Sequence, residues 1–526
     1  MGGVMMKPEK INWIENAAGR KVPDRINGEP VVPFQGVGQY RPRGRSAGRP
    51  IRVCQDYPGD GDKSVPDLKT ALQRCGLKDG MTISTHHHFR DGDLIANQVF
   101  DICAELGLRD LRWFPSAAFP CHAPLIKHLD SGVIHHIEGS MNGPLGDYCS
   151  QGRMKGTAVL RSHGGRWQAL QDGEVHIDVA VLAAPCADAF GNCNGTHGPS
   201  ACGPLGYAEA DARFADHVIV VTDHPVPFPC TPWQIPGQLV DFVVVADRIG
   251  DPEQILSGTT QLTKSPDRLR TAELIAQFAE KTGLIRDGFS FQTGAGGISL
   301  AFAHYVYEIM KQKEVTASFY MGGSNALPVR MLQDGLIRTI IDIQAFDLEA
   351  VRSARDNPNH IACGPFITYN DHGKGNLNSM TDIAVLGATE VDVNFNANVV
   401  THSDGRLMHG IGGWQNCLHA KTTVLAVPSF RDRMPVIVDR VTTLSGPGEL
   451  VDVVATERGI CINPRRKDLI KAVKHSGLPV LDIHDLHQTV LEICGGPPDP
   501  PKLTDQLIAV VKWVDGTVLD SVFGKV

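Results

Sequence analysis

Residues 178–194 and 382–398 carry one pattern twice, and this repeat constrains the fold more than any other feature of the chain. "DVAVLAAPCADAFGNCN" laid on "DIAVLGATEVDVNFNAN" at an offset of 204 (382 − 178) matches at 8 of 17 positions, which in the first copy are Asp178, Ala180, Val181, Leu182, Ala184, Asp188, Asn192 and Asn194. A second correspondence runs between "SVPDLKTALQRCGLKDGMTISTHH" and "SPDRLRTAELIAQFAEKTGLIRDGFSFQTG". It sets Asp79-Gly80 opposite Asp287-Gly288 at an offset of 208 (287 − 79). Two correspondences of similar separation describe one duplicated α/β unit rather than an array of short repeats.

Within each copy, apolar runs such as "VHIDVAVLAAP", "HVIVVTDH" and "LVDFVVVAD" alternate with helical stretches such as "DLIANQVFDICAELGL". That alternation predicts βαβ units and two related α/β domains with largely parallel open sheets. At 526 residues the chain exceeds one ordinary core. The expected division is an irregular basic extension over residues 1–48, a first domain over 49–258 and a second over 259–526. The proline-dense "HPVPFPCTPWQIPG" cannot be a central strand or a helix, so it is expected to cross as extended chain before the boundary.

A formal net charge of −8 argues against a general nucleic-acid or anionic-membrane binder. No apolar run reaches the length of a membrane span. The 13 cysteines form no CxxC pair, so free thiols in a reducing cytoplasm are expected. The missing GxSxG elbow, Walker A and Rossmann glycine motif disfavour serine hydrolases, P-loop NTPases and simple dehydrogenases.

The differences between the two copies are the candidates for chemistry. Where the first copy has Cys186, the second has Glu390, followed by Asn394, Asn396 and Asn398 at alternate positions. At the carboxyl end of a parallel strand, Glu390 is expected to face the crevice where open α/β sheets bind ligands. On an extended segment the asparagines would share one side and hydrogen-bond a carboxylate. The competing structural reading pairs Glu390 with an arginine and spends the asparagines on a tight loop. "QTGAGG", with Gly294, Gly296 and Gly297, stands between a strand and a helical pattern, a place where backbone N–H groups receive an anion. "HGIGG", with Gly410, Gly412 and Gly413, offers oxyanion donors about twenty residues after Glu390. In "THHHFRDGD", consecutive histidines point to opposite faces, so a metal site from His86, His87 and His88 is not expected. Arg90 with His87 suits a carboxylate, or else Arg90 pairs with Asp91 or Asp93. "RSHGGRW" and "HGPSACGPLGY" are assigned structural turns.

Taken together, "THHHFRDGD", "AAPCADAFGNCNG", "GFSFQTGAGGISLA", "GLIRTIIDIQAFD", "NPNHI", "ATEVDVNFNANVVTHSDGRLMHGIGG" and "ERGICINPRR" resemble, in order from about residue 64 onward, the citrate lyase α-chain family of the two-domain CoA-transferase superfamily. The resemblance implies two NagB/RpiA-like domains and a citrate CoA-transferase that exchanges acetyl for citryl on an acyl-carrier thioester. It also implies a multi-subunit oligomer with a β chain and an acyl-carrier γ chain. The γ chain would bear the phosphoribosyl-dephospho-CoA thiol, with acetyl-CoA as its surrogate and no metal on this chain. By the same resemblance Glu390, Gly412 and Gly413 are catalytic. His87, Arg90, Asn396 and Asn398 would hold the acid, and Gly294, Gly296 and Gly297 the carrier arm. In related transferases the glutamate at the place of Glu390 attacks the thioester, whereas in citrate lyase α chains citrate's own carboxylate does so through a mixed anhydride. The chain departs from the family pattern at Thr85, His88 and Asp91, on the loop expected to hold the acid, so citramalate stands beside citrate as acceptor. A free-standing CoA-transferase or acyl-CoA hydrolase, and a non-catalytic CoA-ester binding module, are the alternative readings.

Overall fold

The computed structural model describes residues 11–42, 44, 57–256, 262–294 and 296–526. The boundary expected between residues 258 and 259, and most of the basic run around 43–52, fall outside them.

Two parallel sheets organise the chain. In the first, seven strands lie in the order Ser64–Val65, Phe242–Val245, His217–Thr222, Val179–Ala183, Thr82–Thr85, Leu111–Pro115 and Ile134–Ile137, every pair parallel. In the second, nine strands lie in the order His360–Ala362, Ile340–Ala345, Phe319–Ser324, Ser290–Thr293, Ile383–Leu386, Thr423–Ala426, Val453–Thr456, Gly459–Ile462 and Val480–Leu481. Its pairs are parallel except Val453–Thr456 with Gly459–Ile462. Strands such as Val179–Ala183 and Ile383–Leu386 are buried along their whole length, which is why they read as unbroken apolar runs.

The duplication is visible in the strand order. Val179–Ala183 lies between His217–Thr222 and Thr82–Thr85, and its repeat Ile383–Leu386 lies between Thr423–Ala426 and Ser290–Thr293. Each of these two strands leads into a small hairpin. In the first copy Cys186 pairs with Asn194, and in the second Glu390 pairs with Asn398. The residues common to both copies build the turn. Asp188 accepts from the N–H groups of Phe190, Gly191 and Asn192 and from the Asn192 amide, while Asp392 accepts from the N–H groups of Asn394 and Asn396 and from the Asn396 amide. Asn192 then accepts from Gly237 N–H, as Asn396 does from Gly448 N–H.

Helix starts follow local chemistry. Asp67 caps Leu68–Arg74 by accepting from Thr70 N–H, Ser162 caps His163–Gln171 by accepting from Gly165 N–H, and Pro266 opens Pro266–Lys281. The C-terminal hairpin, Leu503–Lys512 with Val518–Lys525, leaves the second sheet and adds to Ala158–Leu160 near the first, in parallel register Val159↔Val510. Residues 11–42 wrap this hairpin. They carry two short antiparallel ribbons, and the Asn16 amide donates to the Val518 and Leu519 carbonyls. An ion network that is buried except at Glu174 locks the join. Arg161 meets Glu138 and Glu174, and Lys512 donates to Glu174 at 2.9 Å. No helix among the described residues is long and apolar enough to cross a membrane.

Candidate active site

A cavity of about 820 Å³ lies where the two halves meet. The first half contributes Arg90, His163 and Tyr207. The second contributes the strand end Gln292–Thr293, the Gly294 and Gly296 turn, the Leu386–Thr389 strand end, the His409–Trp414 loop and Arg431.

The floor is built by glycines that permit close approach. Gly412 has φ +61°, a conformation that a side chain resists, and its carbonyl accepts from His163 N–H at 2.9 Å as part of an isolated parallel bridge between Ser162 and Gly412. This bridge stitches the start of helix His163–Gln171 to the glycine loop of the other half. A Cβ at Gly164 would lie 2.1 Å from the Tyr369 carbonyl, so only glycine lets the two halves come this close. Gly296 differs: its φ is ordinary and a Cβ there would meet nothing within 4 Å. It stands at the N-cap of the 17-residue helix Gly297–Lys313, with Arg268 and Arg431 on the same cavity wall. Arg431 donates to the Thr389 and Ala388 carbonyls, and burial together with the Arg268 charge lowers its pKa. Arg268 has no ion pair among the described residues.

From the first half, Arg90 has φ +54° and is buried, its guanidinium 4.8 Å from the Phe346 ring centre and 5.5 Å from that of Phe119. Burial lowers its pKa to about 10, so it remains a cation at neutral pH. Nearby, Asp93 receives His122 Nε2 at 2.9 Å and Asp91 accepts from Cys121 N–H. His87 lies one layer behind the cavity, stacked on Tyr207 at 4.4 Å and bonded through Nδ1 to the Ser116 hydroxyl at 2.6 Å. Burial holds it well below the usual histidine range, with His163 adding to the shift. His86 and His88 go elsewhere, to Asp211 and to the Ala183 carbonyl. The three departures from the family pattern are internal too. The Thr85 hydroxyl accepts from Trp113 Nε1, and His88 and Asp91 have the partners just given.

Glu390 corrects a sequence expectation. It is 2% exposed and stands outside the residues lining the cavity. Its Oε2 accepts from the Asn398 amide at 2.9 Å and from Thr442 N–H at 2.8 Å, and its Oε1 from the Thr442 hydroxyl at 3.0 Å. The asparagines do not alternate along an extended strand, because Phe395 at φ +66° turns the chain. Asn396 belongs to the turn described above. Asn398 holds Glu390 while its side-chain Oδ1 accepts from Val400 and Thr401 N–H.

Cavity residues that sequence reasoning passed over are His163, from "RSHGGRW", and Tyr207, from "HGPSACGPLGY", both in loops assigned structural turns, together with Arg268, Gln292, Gln344, Tyr369 and Arg431. The paired glycines beside His163 were a usable signal. The others lie on segments without distinctive local pattern.

Comparison with known proteins identifies the family. The family model "Citrate lyase, alpha subunit (CitF)" matches residues 61–525. The chain is 40% identical over 494 residues to the citrate lyase alpha chain of Klebsiella pneumoniae, covering 93% of this chain and 95% of that one. It is 39% identical over 462 residues to that of Escherichia coli strain K12, covering 88% and 90%. A crystal structure of a citrate lyase alpha subunit in complex with citrate, from Streptococcus mutans, superposes with a TM-score of 0.91 at 40% identity, covering 97% of this chain and all of that one. The malonate decarboxylase alpha subunit of Acinetobacter baumannii shares the fold alone, at a TM-score of 0.57 and 15% identity, covering 83% and 93%.

Proposed function

This chain belongs to the citrate lyase alpha-subunit family, and we propose that it exchanges the acetyl group of an acyl-carrier thioester for citryl, releasing acetate. On this reading it works in the cytoplasm with a β chain and a γ chain that carries a phosphoribosyl-dephospho-CoA thiol, and its two homologous units divide at residues 258/259. The observation that carries the reading is the cavity between the halves, lined by a buried arginine, Arg90, and by a glycine turn together with Arg268 and Arg431.

The residues present fit a long thioester arm. Gly294 and Gly296 leave room that a Cβ would fill, the helix N-terminus favours an anion, and Arg268 and Arg431 suit the phosphates of such an arm. When bound, that arm supplies the activated carbonyl. Arg90 is suited to a carboxylate of the acid, because a guanidinium held over two rings in a desolvated place attracts an anion strongly. The HGIGG loop then lies between acid and thioester, where an oxyanion would develop.

The placement of Glu390 favours direct attack by the acid's own carboxylate over a glutamyl intermediate. A carboxylate that accepts three hydrogen bonds and stands outside the cavity lining is a poor nucleophile without rearrangement. Its evident work is to tie the 390–398 hairpin to Thr442.

The test incubates the protein with acetyl-CoA, then with acetylated carrier, and with citrate, citramalate or malate in turn, following acetate and new acyl thioester by mass spectrometry. Citryl thioester with equimolar acetate is expected. Acetate without a new thioester, or silence with every acid and both donors, overturns the reading.

A further inference from the structure

We propose that His163 is a catalytic residue that donates its Nε2–H to the oxyanion formed during acyl exchange, beside the N–H of Gly413. The inference rests on the acyl-exchange reading given above and adds a residue that the family resemblance does not supply.

Five observations carry it. An oxyanion is best held by two donors, and the bond from His163 N–H to the Gly412 carbonyl sets this residue directly against the glycine loop. The His163 ring lines the cavity, and neither of its nitrogens has a hydrogen-bond partner among the described residues. The ring is instead held by ring contacts, tilted against Tyr207 at 4.4 Å and stacked on His87 at 5.6 Å between centres. Its Nε2 faces the bare α-carbon of Gly412, since a Cβ built there would lie 3.7 Å from that nitrogen. Finally, the imidazole stays neutral: burial, with Arg166 adding to it, pushes its pKa down to about 3.

Neutrality suits the chemistry. The acid's carboxylate oxygen bonds to the thioester carbonyl carbon, and the carbonyl π pair moves onto its oxygen, where the N–H receives it. That pair returns as the C–S bond breaks, leaving a mixed anhydride and a thiolate. The thiolate attacks the other acyl carbon, whose oxygen takes the same place, and acetate leaves. Atoms, charge and protons balance with no proton passing to or from His163. An imidazolium would instead pair with the attacking carboxylate and blunt it.

The experiment compares His163→Gln, which keeps a donor near Nε2, with His163→Phe, which keeps the stack and removes the donor. kcat and KM are measured in the exchange assay, and Tm confirms folding. Donation predicts that Gln retains at least about a tenth of kcat. Phe is expected to lose about 10²- to 10³-fold in kcat, with KM for the acid changed by less than about threefold. Phe keeping kcat within tenfold, or Gln falling as far as Phe, overturns the assignment while wild-type exchange leaves the functional reading intact. A wild type without exchange overturns both.

Discussion

Glu390 and Gly296 are the two positions where a single substitution separates chemistry from architecture. With the acid's carboxylate as nucleophile, Glu390→Gln keeps one acceptor oxygen for Thr442 N–H, removes the charge and turns the other position into a donor that the Thr442 hydroxyl can accept, so exchange is expected to fall by less than about tenfold. A collapse of three orders of magnitude in the same assay would mark a covalent glutamyl step. Glu390→Ala strands Thr442 N–H, whereas the Asn398 amide keeps Thr401 as acceptor, so about 1–3 kcal/mol is expected to be lost in chemical denaturation. Gly296 predicts the converse. A Cβ there meets no protein atom, so Gly296→Ala should alter stability by no more than about 1 kcal/mol. The KM for the thioester donor should rise by about an order of magnitude if the arm occupies that space. An unchanged KM would remove the turn from the carrier site.

At the scale of the element, helix His163–Gln171 decides whether the site exists. Its first residue carries the ring that meets the glycine loop, and its fourth anchors it. The Arg166 guanidinium binds both oxygens of Asp211, which also receives His86 Nε2 at 2.8 Å, with all three side chains buried. Burial raises the Asp211 pKa, but Arg166 and His86 outweigh it and hold the carboxyl below its usual range. Breaking such a pair leaves an uncompensated buried cation. Asp211→Asn is therefore expected to cost about 3–5 kcal/mol and to lower exchange activity with it, read by denaturant titration and assay together. None of this could be read from "RSHGGRW": a Ser cap and a glycine pair are visible locally, but Asp211 lies 45 residues away, on the helix Ala208–Phe214.

Across the whole molecule, the C-terminal hairpin fastens the end of the chain to the first half, and it does so through charge. Burial raises the Glu174 pKa, but the Arg161 and Lys512 charges bring it down to about 2. A depressed carboxyl contributes stability that is complete above its unfolded value, near 4.3, and lost as pH falls through the folded value. The melting temperature should therefore drop between about pH 4.5 and 2, and Glu174→Gln should flatten that slope while lowering stability at pH 7. A variant as steep as the wild type would place the acid sensitivity elsewhere.

The sequence by itself determined the duplicated α/β plan, the buried parallel strands and the glycine turns at their ends, because these follow from periodicity and from residues acting on near neighbours. Asp188 with Asn192, and Asp392 with Asn396, settle their turns within four residues, and so both copies could be recognised. Only the tertiary structure decided which way Glu390 points, that His163 and Tyr207 belong to the cavity, and that the last strands return to the first half. Each of these depends on contacts between segments tens to hundreds of residues apart, such as Ser162 with Gly412 and Val159 with Val510. Such a pairing is set by the packing free energy of the whole assembly, and no local pattern encodes it.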